Sequence, residues 1–116
     1  MSENSVRRYY ELVDQGDVTG LVALFDPEAV YHRPGYPPLC GREELLRFYS
    51  SQRVIKEGKH TLGAVVAKDG EIAVHGEFHG TLHSGETVDT RFADFFRCNP
   101  DGTFCRRDTF FFVPLI

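Results

Sequence analysis

Residues 70–86 read GEIAVHGEFHGTLHSGE, and the alternation in them is almost unbroken. Glu71, Ala73, His75, Glu77, His79, Thr81 and His83 fall on one side, and Ile72, Val74, Gly76, Phe78, Gly80 and Leu82 on the other. A period of two is the mark of a strand with one apolar and one polar face. Three of the chain's five histidines and two carboxylates occupy the polar face. Whether that face meets water or lines a cavity decides which side of the sheet does chemistry.

The same habit extends outward from this stretch. Strands are predicted over about 60–68, 71–83, 86–98 and 103–113, joined by turns at Asp69-Gly70, Ser84-Gly85 and the Asn99–Gly102 run. Connections this short make an antiparallel meander. Gly76 and Gly80, inside a strand, mark places where the sheet can bend sharply. Before the meander the period changes. Val6, Tyr9, Tyr10 and Val13 recur at helical spacing over 3–15, and Gly16 can close that helix. Asp17 caps a short second helix, VTGLVALF (18–25), which ends before Asp26-Pro27. AVYHRP (29–34) reads as a short strand and GYPPLCG (35–41) as a loop. REELLRFYSSQRVI (42–55) is a third helix with Leu45, Leu46, Phe48, Tyr49 and Ile55 on its apolar stripe. Helices first and strands later imply an α+β fold, with three N-terminal helices packed on a curved, mostly antiparallel sheet. A concave sheet covered in this way leaves a cone-shaped pocket.

The totals agree with one domain spanning 1–116. At 116 residues the chain can bury a core without staples. A net charge of −4 gives no electrostatic reason to expect nucleic acid. No apolar run reaches membrane-spanning length, and the start MSENSVRRYYE lacks a signal-peptide profile, so a cytoplasmic protein is expected. The three cysteines, Cys40, Cys98 and Cys105, have no metal-ligand spacing and read as reduced thiols, although Cys98 and Cys105 are placed to pair across a hairpin. Ten phenylalanines and no tryptophan suggest an aromatic core or cavity wall.

The order of elements resembles the nuclear transport factor two-like superfamily, which includes ketosteroid isomerase, SnoaL-like polyketide cyclases, limonene epoxide hydrolase and scytalone dehydratase. The resemblance covers essentially the whole chain. It is carried by RRYYELVDQGDVTGLVALF (7–25), AVYHRP (29–34), PPLCGREELLRFY (37–49) and VDTRFADFFRCNPDG (88–102). It implies a cystatin-like cone and a homodimer. It also implies that the Glu77/His79/Thr81 side of the opening strand turns into the pocket. Function is less constrained, because this superfold hosts enzymes and plain binding modules alike.

Tyr9 matches the oxyanion tyrosine of ketosteroid isomerase and Asp94 its oxyanion acid. On its strand Asp94 shares a face with Val88, Thr90, Phe92 and Phe96. Desolvation there would raise its pKa; the alternative is a partnership with an arginine. The general base of that enzyme is replaced by Arg33, and a guanidinium cannot serve as a base near neutrality. The arginine and two aspartates of limonene epoxide hydrolase fall at His75, Glu77 and Thr109, so that mechanism is disfavoured as well. Tyr31 matches the water-positioning tyrosine, while Asp108 is one residue, and therefore one face, away from the second carboxylate position.

The remaining expectation is a cofactor-independent enzyme. Its reaction would be cyclisation, isomerisation or dehydration of a small apolar oxygenated metabolite such as a polyketide, terpenoid or aromatic acid. Glu77 or His79 is the candidate base, Tyr9 and Asp94 the oxygen stabilisers, and Arg33 the anion anchor. Tyr31, Phe48, Phe96, Arg107, Thr109 and Phe111 are the candidate substrate-binding residues. An ion pair of Glu77 with Arg33 beside a hydrogen-bonded His79 is the structural alternative. His32 is a further titrating candidate, and His60, His75 and His83 read as rim or surface residues. His75, Glu77 and His79 have only a weak metal-ligand spacing, and no metal is expected. The rival class is a non-catalytic ligand-binding or dimerisation module, favoured by the apolar end FFFVPLI (110–116), which suits an interface or a pocket lid.

Overall fold

The computed structural model describes residues 2–112. Helix α1 (Ser2–Gln15) ends where Gly16 adopts φ 78°, with Asp17 N bonded to Leu12 O at 2.9 Å and Gly16 N to Val13 O at 3.1 Å. That pair of bonds is a Schellman stop. Asp17 then caps α2 (Val18–Val22), its carboxylate accepting from Gly20 N at 2.9 Å. The second helix is shorter than predicted because the chain enters strand β1 (Phe25–His32) already at Phe25. A register irregularity between Phe25 and Val30 accommodates Pro27, which has no amide hydrogen for a regular ladder.

Residues 35–41 are not wholly a loop, since Leu39–Cys40 pair with β1 as a two-residue strand, β2. Helix α3 (Gly41–Arg47) passes into a π-helical turn over Phe48–Gln52, so the predicted single helix is shorter and changes pitch midway. Strands β3 (Ile55–Lys68), β4 (Glu71–Leu82), β5 (Thr87–Cys98) and β6 (Phe104–Phe111) form the meander. Asp69 and Gly70, at φ 51° and 81°, make the tight β3–β4 turn with the left-handed pair that matches strand twist. The sheet order is β2-β1-β6-β5-β4-β3, antiparallel except for the parallel β1–β6 pair.

Curvature comes from β3 and β4. Their register shifts at Ile55/Glu57 and again at Leu62/Ala64, and such bulges increase local twist. The Phe78 ring lies over Gly58 and Gly80, where an added Cβ would come within 2.3 Å and 2.5 Å of it. The helices fill the concave side, and Val6, Tyr9, Leu21, Phe25, Leu45, Phe48, Ile72, Val74, Phe96 and Phe104 form the centre of the core. Among the described residues no helix is long and apolar enough to cross a membrane. Cys98 and Cys105 form no disulfide. Residues 113–116, the last part of FFFVPLI, lie outside the described residues.

Candidate active site

Sheet pairing fixes which side chains meet. The β4–β5 register sets Val74 opposite Asp94, Ile72 opposite Phe96, and Gly76 opposite Phe92. The β5–β6 register continues the same face with Asp94 opposite Thr109, Phe96 opposite Arg107, and Phe92 opposite Phe111. Tyr31 joins it from β1 opposite Arg107. Directly opposed residues share a face. The inner face is therefore the apolar side of the opening strand, and its polar side points outward.

This corrects the expectation for Glu77 and His79. Glu77 is paired in register with Arg91 and His79 with Asp89. Both side chains are more than half exposed, with His79 Nδ1 bonded to Asp89 and its Nε2 3.5 Å from Glu77. Asp89 first, and then Glu77, raise the His79 pKa above its ordinary value. The structural alternative fails too, because Arg33 lies on the opposite side of the sheet from Glu77 and the two form no ion pair. His75 is also on the outer face, beside Arg91. His32 is paired with Asp108 at 3.0 Å, and Asp108 is also held by Arg106. Among the described residues no histidine, cysteine and carboxylate cluster suits a metal ion.

The interior holds the charged groups. Asp94 is fully buried, at 0% exposure, and Arg107 nearly so, at 4%. Arg107 Nη2 donates to Asp94 Oδ2 at 2.8 Å, and Asp94 also accepts from the hydroxyls of Tyr10 and Thr109. Asp94 is thus an arginine's partner, the alternative to an isolated acid. Its three donors fix the guanidinium so that Nη1 points at two further tyrosines. Nη1 donates to Tyr49 Oη at 3.0 Å and to Tyr9 Oη, and those two hydroxyls lie 2.5 Å apart. Two hydroxyls own two protons, and one of these bridges the pair. The other is left to donate into the cavity.

Burial raises Tyr9 well above its ordinary value, with Arg107 opposing, and raises Tyr49 against the same opposition. Tyr10 is raised well above its usual range by burial and then by Asp94. All three phenols remain protonated near neutrality and act as donors, not bases. For Arg107 burial opposes the charge, but Asp94 and the tyrosines outweigh it and hold the guanidinium well above its ordinary value.

The cavity is lined by Tyr9, Tyr31, Arg33, Tyr49, Arg53, His60, Asp94, Arg107 and Thr109 among polar groups, and by Ile55, Phe78, Phe92 and Phe111. Its central void is about 20 Å³, room for about one water. A groove of about 390 Å³ runs outward between α1, α2 and the start of β3, sharing Tyr49, Arg53 and Ile55 with the cavity. Anything larger than water must therefore displace side chains at this shared boundary.

Seven sequence candidates come together here. Tyr9, Arg33, Asp94, Arg107, Thr109, Tyr31 and Phe111 line the cavity, and the Tyr31 hydroxyl is 3.1 Å from Thr109 Oγ1. Phe48 and Phe96 lie one layer back, behind the guanidiniums of Arg33 at 5.7 Å and Arg107 at 5.3 Å. Arg33 also sits over the ring of Phe111 at 5.0 Å and that of Tyr36 at 5.8 Å. Its buried Nε has no hydrogen-bond partner, and among the described residues no carboxylate pairs with it.

Sequence reasoning missed Tyr10, Tyr49, Arg53 and His60. Tyr10 and Tyr49 were visible only as members of helical apolar stripes. His60 reads as a rim residue because β3 was expected to start there, whereas it starts at Ile55 and carries His60 well inside the sheet.

A family model described as a SnoaL-like domain matches residues 6–107. Among solved structures, SalBIII, an epoxide hydrolase/cyclase-like enzyme in pyran ring formation in the polyether salinomycin, superposes with a TM-score of 0.85 at 21% identity, covering 97% of this chain and 91% of that one. An NTF2-like protein of unknown function from Burkholderia pseudomallei gives 0.85 at 19% identity, with 97% and 92% covered. Another from Exiguobacterium sp. gives 0.80 at 18%, with 93% and 98% covered. These likenesses establish the shared cone fold.

Proposed function

The chain belongs to the SnoaL-like domain family, and from that premise we propose that it is an enzyme of general acid–base chemistry. Its reaction would be cyclisation, isomerisation or dehydration of a small, largely apolar, oxygenated metabolite such as a polyketide, terpenoid or aromatic acid. One observation carries this reading. Among the described residues three guanidinium groups, Arg33, Arg53 and Arg107, and one carboxylate, Asp94, line the cavity. Arg107 is matched by Asp94, whereas Arg33 and Arg53 are half-buried without a carboxylate partner among the described residues, and an anionic ligand would offset the cost of that partial desolvation.

The division of labour follows from the geometry. Arg33, walled by aromatic rings and short of hydrogen-bond partners, anchors a carboxylate or enolate oxygen. The Tyr9–Tyr49–Arg107 cluster donates to oxygen on which charge develops, a contribution worth about 10²–10³ in kcat per donor. Asp94 holds Arg107 in place and does not itself reach for a proton. Ring closure, the role given for SalBIII, is one reaction that such a site suits, since it moves a proton and builds charge on oxygen.

The test is solvent deuterium incorporation into a panel of β-keto acids and aromatic keto acids, followed by proton NMR. Accelerated exchange of at least one member, reduced about 100-fold in Tyr9→Phe, supports the reading. Binding without exchange across the panel would favour the non-catalytic module. We also propose that the protein is cytoplasmic and that a second copy covers the outer sheet face. Phe95, Phe110 and Phe112 are 49%, 56% and 61% exposed there, and the first two meet edge to face at 5.8 Å.

A further inference from the structure

With Glu77 and His79 outside, the proton acceptor must be sought among the groups that line the cavity. Among the described residues that line it, only His60 has an ordinary pKa near neutrality. Its ring is 11% exposed and packs against Tyr10, Phe78 and Phe92, with centroids at 5.1, 4.8 and 5.4 Å. Asp14, one turn beyond Tyr10 on α1, grips it twice. Asp14 Oδ1 lies 2.6 Å from His60 Nδ1, and Asp14 Oδ2 accepts from the His60 backbone N at 2.9 Å. A carboxylate on Nδ1 selects the tautomer with the proton on that nitrogen and leaves Nε2 as the ring's acceptor. Asp14 itself lines the outer groove and His60 the inner cavity, so the pair spans the boundary between them.

We propose that His60, oriented by Asp14, is the base and acid of this site. The inference rests on the enzyme reading above and supplies the group that reading lacks. His60 Nε2 takes a proton from a carbon or hydroxyl of the ligand. The electron pair so released moves onto oxygen facing Tyr9 and Tyr49. The imidazolium is held by Asp14 until the same proton is returned to the ligand at a different atom, or to its leaving hydroxyl. Nothing is oxidised, and no co-reactant is consumed. The charged and titratable groups that face His60 are Asp14 and Tyr10 from α1, Asp94 from β5 and Arg107 from β6. Burial lowers the His60 pKa, and the Asp14 hydrogen bond works against that shift. At neutral pH the imidazole is therefore free to accept.

Diethyl pyrocarbonate, which acylates unprotonated imidazole nitrogen, tests this without a known substrate. The folded wild-type protein is labelled across a pH series and the modified peptides are mapped. The expected result is acylation of His60 at Nε2 with a midpoint below the ordinary histidine value of about 6.5, while His79 shows a midpoint above it. Asp14→Asn should lower the His60 midpoint further and spread the label onto Nδ1. A merely structural histidine, closed to the cavity, would stay unlabelled while His79 and His83 react, and that result overturns the proposal. An Asp14→Asn protein with unchanged midpoint and labelled nitrogen would overturn Asp14's positioning role. Because no turnover is read, failure here leaves the deuterium-exchange result of the enzyme reading to stand or fall separately.

Discussion

Asp94 and Arg107 form a buried ion pair, joined by the bond from Arg107 Nη2 to Asp94 Oδ2. Breaking a buried ion pair from one side costs about 3–5 kcal/mol, because the remaining charge is stranded. Arg107→Met should lower unfolding free energy by about that amount in urea titration. His60 gives a pH signature of defined sign. Burial holds its folded pKa below the unfolded value, so the unfolded chain binds a proton first as pH falls. Stability is therefore unaffected by this group above about pH 6.5 and declines as pH drops below it. The urea midpoint should fall more between pH 7.5 and 5 for wild type than for His60→Gln. Tyr9, Arg33 and Asp94 were legible because the resemblance to ketosteroid isomerase singles out their positions. Tyr49 was not, since a tyrosine on a helical stripe reads as core, and only its contact with Arg107 tells otherwise.

Strand parity is the lesson at the scale of elements. Asp94 and Glu77 were both expected to face inward, yet the β4–β5 register makes that impossible, because Asp94 opposes Val74 and Glu77 opposes Arg91. The clue lay in the residues themselves. The apolar set Ile72, Val74 and Phe78 and the set Phe92 and Phe96 need one common core, and a one-residue change of face would expose all of them. Hydrophobic burial outweighs any pull on two exposed polar side chains, at about 1.5–3 kcal/mol for each large residue buried. Strand and helix order were otherwise readable, since the meander's period and turn residues are local signals. The early start of β3 was hidden because residues 53–55 read as the end of the third helix, whereas the π turn closes at Gln52 and β3 begins at Ile55. The bend in β3–β4 has its own test. An added Cβ at Gly80 would lie 2.5 Å from both Glu57 O and the Phe78 ring, so Gly80→Ala should cost about 1–3 kcal/mol, read as a lower midpoint in the same urea titration.

At the scale of the whole molecule the two sheet faces divide the work. The inner face carries an excess of guanidinium over carboxylate within aromatic walls. The outer face carries exposed phenylalanines among paired charges such as Arg97–Glu71 and His79–Asp89, which suits a self-complementary contact. Phe95→Glu with Phe110→Glu should shift the mass seen by light scattering from dimer to monomer while leaving the fold's circular dichroism unchanged. A wild type already monomeric at tens of micromolar would remove the dimer proposal.

The division itself is tested most directly by NMR titration with 1-naphthoate and its neutral amide, observing arginine Nε and histidine ring resonances together. The expected result is binding of the carboxylate, not the amide, with shifts at Arg33 and His60 and none at His75 or His79. Shifts confined to His75 and His79, or equal binding of acid and amide, would contradict an interior anion site.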